Sequence, residues 1–202
     1  MNVAVLASGA GTNLQALLDQ VHGRDGIQIV AVASDKPDAP ALQRVRALRI
    51  ANAAFPLTIH PGRVERDRAM ADYLAEREVE LVVLAGYMQL LSSEFLERFP
   101  LRVINVHPSL LPAFPGLTPV VDALAYGVKV FGVTVHFVDE GVDSGPVILQ
   151  RAVELSSARD PDEVLERLHP IEHELLPEAV RLIARGAVSF DPANRRRVLI
   201  DR

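Results

Sequence analysis

Short runs of apolar residues alternate along this chain with longer amphipathic segments. Five apolar runs of strand length predict β-strands at residues 3–7, 27–33, 55–59, 81–85 and 103–107. The run at 81–85 (LVVLA) is apolar throughout, as expected of a strand covered on both faces. Apolar residues at helical spacing predict helices at residues 14–21, 41–48, 66–76 and 93–99. This alternation predicts an α/β, Rossmann-like fold with a mostly parallel twisted sheet and helices on both faces.

The last third of the chain follows a different pattern. Residues 130–138 and 147–155 are β-rich and are joined by the glycine-rich segment 141–146 (GVDSGP), which predicts an antiparallel C-terminal part. Two helices are predicted at residues 160–168 and 170–185, and a small terminal hairpin at residues 187–191 and 197–200. The chain shows no repeat or linker and is shorter than the roughly 250–300 residues at which chains divide, so one domain over residues 1–202 is expected.

Composition and charge exclude several classes of protein. The chain is 49% hydrophobic and 23% charged, which excludes wholesale disorder. It has no cysteine, which excludes disulfides, thiolate zinc sites and a cysteine nucleophile. A net charge of −5 argues against nucleic-acid binding, and we interpret the basic run Arg195-Arg196-Arg197 as a solvated tail. The chain has neither an apolar run of about 18 residues nor a signal-peptide pattern, so we expect a cytoplasmic protein with no membrane contact.

A glycine-rich segment, residues 8–13 (SGAGTN), lies between the first predicted strand and the first predicted helix. Glycines allow a tight turn there, and the unpaired N–H groups at the start of the helix suit a phosphate. The segment matches neither the G-x-G-x-x-G dinucleotide pattern nor the P-loop with its lysine, so a single phosphate monoester is favoured. An ordinary βα turn with Thr12 as N-cap is an equally good interpretation of this segment alone.

Three polar residues are candidates for catalysis. Asn105 and His107 lie two residues apart at the carboxyl end of the fifth predicted strand, so their side chains point to the same face. Open α/β sheets bind their ligands at that edge. Asp143 lies in the glycine-rich turn of the last third. Taken singly, His107 suits a structural role and Asp143 a turn role better than catalysis, and only their combination indicates an active site.

Two long motifs resemble those of the folate-dependent formyltransferase family. The first is residues 105–112 (NVHPSLLP) with Pro115-Gly116, and the second is residues 132–138 (GVTVHFV) with residues 142–145 (VDSG). The likeness extends from Met1 to about Pro177 and includes residues 8–14 and 84–88 (LAGYM). The resemblance implies transfer of the formyl group of 10-formyltetrahydrofolate to the primary amine of glycinamide ribonucleotide (GAR), in purine biosynthesis and without a metal.

The resemblance also implies roles for single residues, with Asn105, His107 and Asp143 as the catalytic trio. The residues expected to bind GAR are Gly11, Thr12, Asn13, His169, Pro170, Ile171 and Glu172. Those expected to bind the folate are Arg63, Met88, Gln89, Leu90, Leu91, Asn105, Asp139, Glu140, Gly141, Val142 and Asp143. Residues 1–100 would form mainly the phosphate- and nucleotide-binding half, residues 101–186 the catalytic and folate-binding half, and residues 187–202 a tail.

The implied mechanism assigns each member of the trio a task. A protonated His107 and the Asn105 amide stabilise negative charge on the formyl oxygen. Asp143 is expected to raise the pKa of His107 and to relay a proton from the attacking amine to the leaving nitrogen. Direct transfer is favoured because no member of the trio is an activated nucleophile. The proline-rich segment 108–119 is expected to form a loop with a cis peptide bond at Leu111–Pro112.

The chain departs from the family pattern at several positions. Gln89 stands where many relatives carry arginine, and residues 118–121 (TPVV) replace a stretch that often bears histidine or arginine. We predict that Arg63 lies in a loop. At the position of His169, relatives often carry a lysine or a glutamine. We interpret His136 as a supporting or structural residue of its strand.

Two other functions compete with this one. Relatives with the same core act on methionyl-tRNA or hydrolyse formyltetrahydrofolate, but they carry an extra domain for which 202 residues leave no room, and the net charge of −5 argues against tRNA. A non-catalytic folate- or nucleotide-binding protein would have no need of the complete trio. The expected partners are therefore GAR and the formyl-folate, with no nucleic acid or membrane, and the expected state is a monomer or homodimer.

Overall fold

The computed structural model describes residues 1–201, and the chain divides after Ile104 into two compact units. The first unit alternates strands with helices in chain order. Its strands are β1 (Asn2–Leu6), β2 (Gln28–Ser34), β3 (Ala51–Ala54) and β4 (Leu81–Leu84). Its helices are α1 (Thr12–Gln20), α2 (Pro40–Arg46), α3 (Arg63–Ala75) and α4 (Ser93–Arg98).

The strands of the first unit lie in the order β3-β2-β1-β4 and pair in parallel. The strands β1 and β4 are almost entirely apolar, as expected of parallel strands that helices cover on both faces. Val3, Val5 and Val83 are completely buried, and so is Leu14 of α1. The carboxyl ends of β1 and β4 lead into residues 8–13 and residues 85–92, respectively. The two predicted ligand-binding segments of this unit therefore begin at the same sheet edge.

The second unit contains the antiparallel part. The strand β5 (Val103–His107) ends in this unit, followed by β6 (Val130–Phe137), β7 (Val147–Glu154), β8 (Val188–Asp191) and β9 (Asn194–Ile200). Its helices are α5 (Pro119–Tyr126) and α6 (Pro161–Ala184). The strand order is β5-β6-β7-β9-β8, with β6–β7 and β8–β9 antiparallel and β7–β9 parallel. The predicted fold class, parallel α/β with an antiparallel C-terminal part, is confirmed.

The predicted elements differ from the structure in three places. The third strand is Ala51–Ala54 and not residues 55–59, because β3 continues the ladder of β2 while Pro56 lacks an N–H to extend it. The two predicted C-terminal helices form one helix, α6, which passes through Pro170 and Pro177. The helix α5 was not predicted, and the departing segment 118–121 forms its start.

The C-terminal hairpin belongs to the sheet of the second unit. Arg197 pairs with Val147 of β7, and the Phe190 and Phe137 rings lie 5.1 Å apart. The basic run is exposed, as predicted, but it is not a free tail. An Nη2 atom of Arg196 donates to the carbonyl oxygen of Ser144 at 2.5 Å. The hairpin therefore contacts the loop that carries Asp143.

No helix within residues 1–201 has both the length and the apolar character needed to cross a bilayer.

Candidate active site

The structure brings the three candidate catalytic residues together in the second unit. Asn105 and His107 project from the carboxyl end of β5, and Asp143 faces both of them. Nδ2 of Asn105 donates to Oδ1 of Asp143 at 3.4 Å, and Nδ1 of His107 lies 3.4 Å from Oδ2 of the same carboxylate. The side chains of His107 and Asp143 are 5% and 15% exposed, so a ligand meets the carboxylate more readily than the imidazole.

The other nitrogen of His107 identifies its tautomer. Nε2 lies 2.9 Å from the carbonyl oxygen of Phe114, which only accepts hydrogen bonds, so Nε2 carries a proton. Nδ1 is then the nitrogen whose protonation changes, and it is the one that faces Asp143. In the neutral ring Nδ1 is an acceptor, so it can donate a hydrogen bond to the carboxylate or to a ligand only after it is protonated.

Asp143 is aimed by an unusual backbone conformation. Its φ is +48°, in the left-handed region that aspartate tolerates better than most residues. The Gly116 N–H donates to Oδ2 at 2.8 Å and supports the carboxylate from the opposite loop. Two residues further on, Gly145 passes so close to Phe137 that a Cβ there would overlap the Phe137 carbonyl oxygen. The turn thus depends on the glycine that follows it.

His136 is a fourth member of this group. Nδ1 donates to the carbonyl oxygen of Phe137 at 2.8 Å, so in the neutral ring Nε2 is an acceptor. That Nε2 lies 3.3 Å from Nδ2 of Asn105 and 3.6 Å from Oδ1 of Asp143. His136 therefore accepts a hydrogen bond from the Asn105 amide and orients it, and it attracts the Asp143 carboxylate only when Nε2 is protonated. A buried histidine on an otherwise apolar strand is the sequence signal for this contact.

The charge state of His107 differs from the simplest expectation. Burial lowers the pKa of His107 below its ordinary value, although the Phe114 carbonyl and the Asp143 carboxylate both act to raise it. The predicted influence of Asp143 thus has the expected sign, but desolvation outweighs it. His107 is therefore mainly neutral at pH 7 in the free protein.

Asp143 is ionised at pH 7. Burial favours its neutral form, but the His136 ring, the Gly116 N–H and the neighbouring histidine charges together hold the pKa of Asp143 below its ordinary value. A carboxylate with a depressed pKa beside a neutral imidazole can accept a proton from an attacking group.

The proline-rich segment between β5 and α5 forms the loop that supports His107. The Leu111–Pro112 peptide bond is cis, as predicted. Thr134 of β6 anchors the loop, because its hydroxyl donates to the Ser109 carbonyl oxygen at 2.7 Å and accepts from the Leu111 N–H at 3.1 Å. Gln150 of β7 donates to the Leu111 carbonyl oxygen at 2.8 Å. The loop that presents the Phe114 oxygen and the Gly116 N–H is therefore tied to two strands.

The predicted phosphate segment lies in the first unit. Gly11 is the N-cap of α1 with φ +72°, and Thr12 and Asn13 are its first helical residues, so Thr12 is not the N-cap. A Cβ on Gly11 would lie 2.8 Å from Cβ of Ala41 in α2. Arg44 of α2 donates to the Ala10 carbonyl oxygen at 2.7 Å. The turn is therefore packed against α2 and has a guanidinium beside it.

The predicted folate strip, Met88–Leu91, also lies in the first unit. Met88 and Leu90 are 53% and 56% exposed, so both are accessible to a ligand. The Met88 N–H donates to Oγ of Ser8 at 2.8 Å. Arg63 is exposed and is the first residue of α3, so its placement in a loop was wrong.

The remaining predicted site residues lie in the second unit. His169, Pro170, Ile171 and Glu172 form consecutive positions of α6, where Glu172 is buried and the rings of His169 and His173 stack with centroids 6.3 Å apart. Burial, followed by the charge of His169, lowers the pKa of His173. Residues 139–142 form a loop in which Oδ1 of Asp139 accepts from the Ser144 hydroxyl at 2.6 Å.

No cluster of three or more His, Asp or Glu side chains suited to a metal ion occurs in the described residues 1–201.

Comparison with known proteins identifies the family. The formyl transferase family model matches residues 1–180. The chain is 38% identical over 179 residues to the phosphoribosylglycinamide formyltransferase of Bacillus subtilis. That alignment covers 88% of this chain and 92% of the relative. It is 43% identical over 193 residues to the protein of the same name from Mycobacterium tuberculosis, covering 93% and 86% of the two chains. The crystal structure of glycinamide ribonucleotide transformylase 1 from Symbiobacterium toebii superposes on this chain with a TM-score of 0.95 at 44% sequence identity. The superposition covers 100% of this chain and 94% of the chain in that crystal structure. This chain therefore belongs to the formyl transferase family, among the phosphoribosylglycinamide formyltransferases.

Proposed function

We propose that this protein transfers the formyl group of 10-formyltetrahydrofolate to the primary amine of GAR, giving formyl-GAR and tetrahydrofolate for purine biosynthesis. The observation that carries the proposal is the contact of one partly buried carboxylate, Asp143, with both Asn105 and His107 at the end of β5. The names of the relatives supply the substrate class, since they are formyltransferases of glycinamide ribonucleotide.

The trio divides the work between hydrogen-bond donation and proton transfer. The amine nitrogen forms a bond to the formyl carbon, and negative charge builds on the formyl oxygen. Nδ2 of Asn105 donates to that oxygen, and so does Nδ1 of His107 in those molecules in which solvent has protonated it before the reaction. Asp143, directly or through a water molecule, takes the proton that the amine loses. The bond from the formyl carbon to the folate nitrogen then breaks, and the proton passes to that nitrogen.

The substrate-binding segments are assigned by unit. Gly11, Thr12 and Asn13 bind the phosphate of GAR through the start of α1, and Met88–Leu91 and Arg63 bind the folate in the first unit. In the second unit, residues 169–172 of α6 contribute to GAR binding and residues 139–143 to folate binding. The first unit thus serves mainly phosphate and nucleotide binding, and the second mainly catalysis. The protein acts as a cytoplasmic monomer or homodimer on these small molecules, without metal, nucleic acid or membrane.

A direct assay tests this assignment. Purified protein is mixed with 10-formyltetrahydrofolate and one of three acceptors, namely GAR, methionyl-tRNA or water alone, and the products are measured by mass spectrometry. We expect formyl-GAR and an equal amount of tetrahydrofolate with GAR, and only background product with the other two. Formylated tRNA, or tetrahydrofolate formed with no acceptor, would replace this function with that of the corresponding relative.

A further inference from the structure

A completely buried ion pair lies behind the predicted folate strip in the first unit. Arg66 and Asp67, adjacent residues of α3, are both 0% exposed, and Nη2 of Arg66 lies 2.6 Å from Oδ1 of Asp67. Burying two charges is costly unless further hydrogen bonds satisfy them. The remaining atoms of this pair all bond to the segment that follows β4.

The buried pair holds the strip within it, at Leu90, and directly after it, at Ser92. Nη2 of Arg66 donates to the Leu90 carbonyl oxygen at 3.1 Å, and Oδ2 of Asp67 accepts from the Ser92 N–H at 2.6 Å. Ser8 holds the start of the strip through the Met88 N–H. Leu90 therefore directs its carbonyl inward to the guanidinium while its side chain remains more than half exposed. The strip is fixed from the protein side and presents its outer side to a ligand.

The side chain of Gln89 is also engaged by protein groups. Its Oε1 accepts from Nη1 of Arg66 at 3.2 Å, and its Nε2 donates to Oδ2 of Asp35 at 3.2 Å. Both ends of the amide thus serve the internal network. A folate that meets residue 89 meets its backbone and not its amide.

We propose that Arg66 is a positioning residue that presets the backbone of Met88–Leu91 for the folate substrate. The inference rests on the proposed function, which assigns this strip to the folate. Arg66 suits the task because its planar guanidinium reaches three acceptors at fixed angles, Asp67, Gln89 and Leu90, which a lysine ammonium does not. Preset geometry lowers the cost of ordering the strip when the substrate binds.

Binding of each ligand alone separates positioning from folding. Arg66→Met, Arg66→Lys and Gln89→Met are compared with Arg68→Met, a control on an exposed residue of the same helix. Affinities for tetrahydrofolate and for GAR are measured by calorimetry, and KM for each substrate by steady-state kinetics. For both Arg66 variants we expect at least about a tenfold loss of tetrahydrofolate affinity, with GAR affinity within about twofold of wild type. Gln89→Met removes one contact of Arg66 but leaves the Leu90 contact in place, so it should lose less tetrahydrofolate affinity than Arg66→Met.

The alternative outcomes are distinct. Unchanged tetrahydrofolate affinity in a folded Arg66→Met protein, or equal loss of both ligands, would overturn the positioning role. Failure of both Arg66 variants to fold would assign the pair to stability alone and overturn it as well. A loss in Gln89→Met as large as that in Arg66→Met would overturn the role given to the contact between Arg66 and the Leu90 carbonyl oxygen. If the wild-type protein itself binds no tetrahydrofolate, the proposed function fails instead.

Discussion

The charge of Asp143 is the property on which the proposed chemistry depends. Asp143→Asn keeps the size of the side chain but removes the proton acceptor, so we expect kcat to fall by about 10²–10⁴-fold with substrate affinities nearly unchanged. The carboxylate raises the pKa of His107 against the effect of burial, so its removal should shift the His107 titration to still lower pH. Steady-state kinetics and NMR titration of labelled histidine measure the two effects.

Asp139→Asn is the matched control for this change, because Asp139 bonds within the same loop without contacting the histidines. It should leave the His107 titration in place. A His107 titration that is the same in wild type and Asp143→Asn, together with normal turnover, would make Asp143 a turn residue and not a member of the active site.

Gly11 is required by the shape of the first turn, independently of the phosphate-binding role proposed for it. Its φ of +72° disfavours a side chain, and a Cβ there would overlap Ala41. Gly11→Ala should lower the free energy of unfolding by about 2–4 kcal/mol, from left-handed strain and overpacking combined. Urea unfolding of Gly11→Ala and of Gly9→Ala, whose added Cβ meets nothing within 4 Å, measures the difference. Equal stability of the two variants would contradict the packing seen here.

At the level of elements, periodicity predicted the buried strands and most helices, and proline caused the errors. The helix α5 escaped prediction because four prolines precede or begin it, yet Pro119 occupies the first turn, where a missing N–H costs nothing. The helix α6 passes through Pro170 because its buried face continues on both sides. The strand β3 is too poor in bulky residues to stand out, and only its pairing with β2 reveals it.

The candidate site was predictable where the motif is continuous in sequence. Asn105, His107 and Asp143 were found from two motifs, but Phe114 and Gly116 act through backbone atoms, which leave no side-chain signature. The role of Arg66 could not be predicted from the sequence either. An arginine within a polar helix indicates a solvent-exposed face, and only the structure shows that Arg66 is buried. The pKa of His107 depends on the balance between burial and two partners, which sequence does not supply.

The contact between the C-terminal hairpin and the Asp143 loop leads to a prediction at the same scale. Arg196→Met removes the hydrogen bond to the Ser144 carbonyl oxygen, next to Asp143. We expect kcat to fall about three- to tenfold, because the carboxylate is held less precisely, with little change in thermal stability. Arg195→Met, in the same exposed run, is the control and should behave as wild type. Equal kinetics of the two variants would limit Arg196 to a surface contact.

Two histidines with lowered pKa values, His107 and His173, make the stability of the protein depend on pH. The pKa values of His107 and His173 are lowered in the folded protein, so below about pH 6.5 the unfolded chain takes up protons first and stability falls as pH falls. Asp143 acts in a lower window, since its depressed pKa adds stability that is lost only near pH 4 and below. Unfolding midpoints measured from pH 7.5 to 5 should show this slope.

His107→Gln removes one of these titrating groups, so its slope should be shallower than that of wild type by up to one proton. His22→Gln changes a histidine whose ring accepts from the Ile29 N–H in the first unit and serves as the control for simple loss of a histidine. Identical slopes for His107→Gln and wild type would show that His107 titrates normally.

The family match ends at residue 180, and Arg196 lies beyond it. A segment that carries none of the shared motifs therefore contacts the loop that holds Asp143, the proposed proton acceptor. Sequence drift in the β8–β9 hairpin changes how firmly that loop is held without altering a single reacting group. Turnover can therefore adapt to a colder or warmer habitat through changes in the hairpin, without any change in the catalytic residues. When the hairpin of one relative replaces that of another, the temperature dependence of kcat should follow the hairpin.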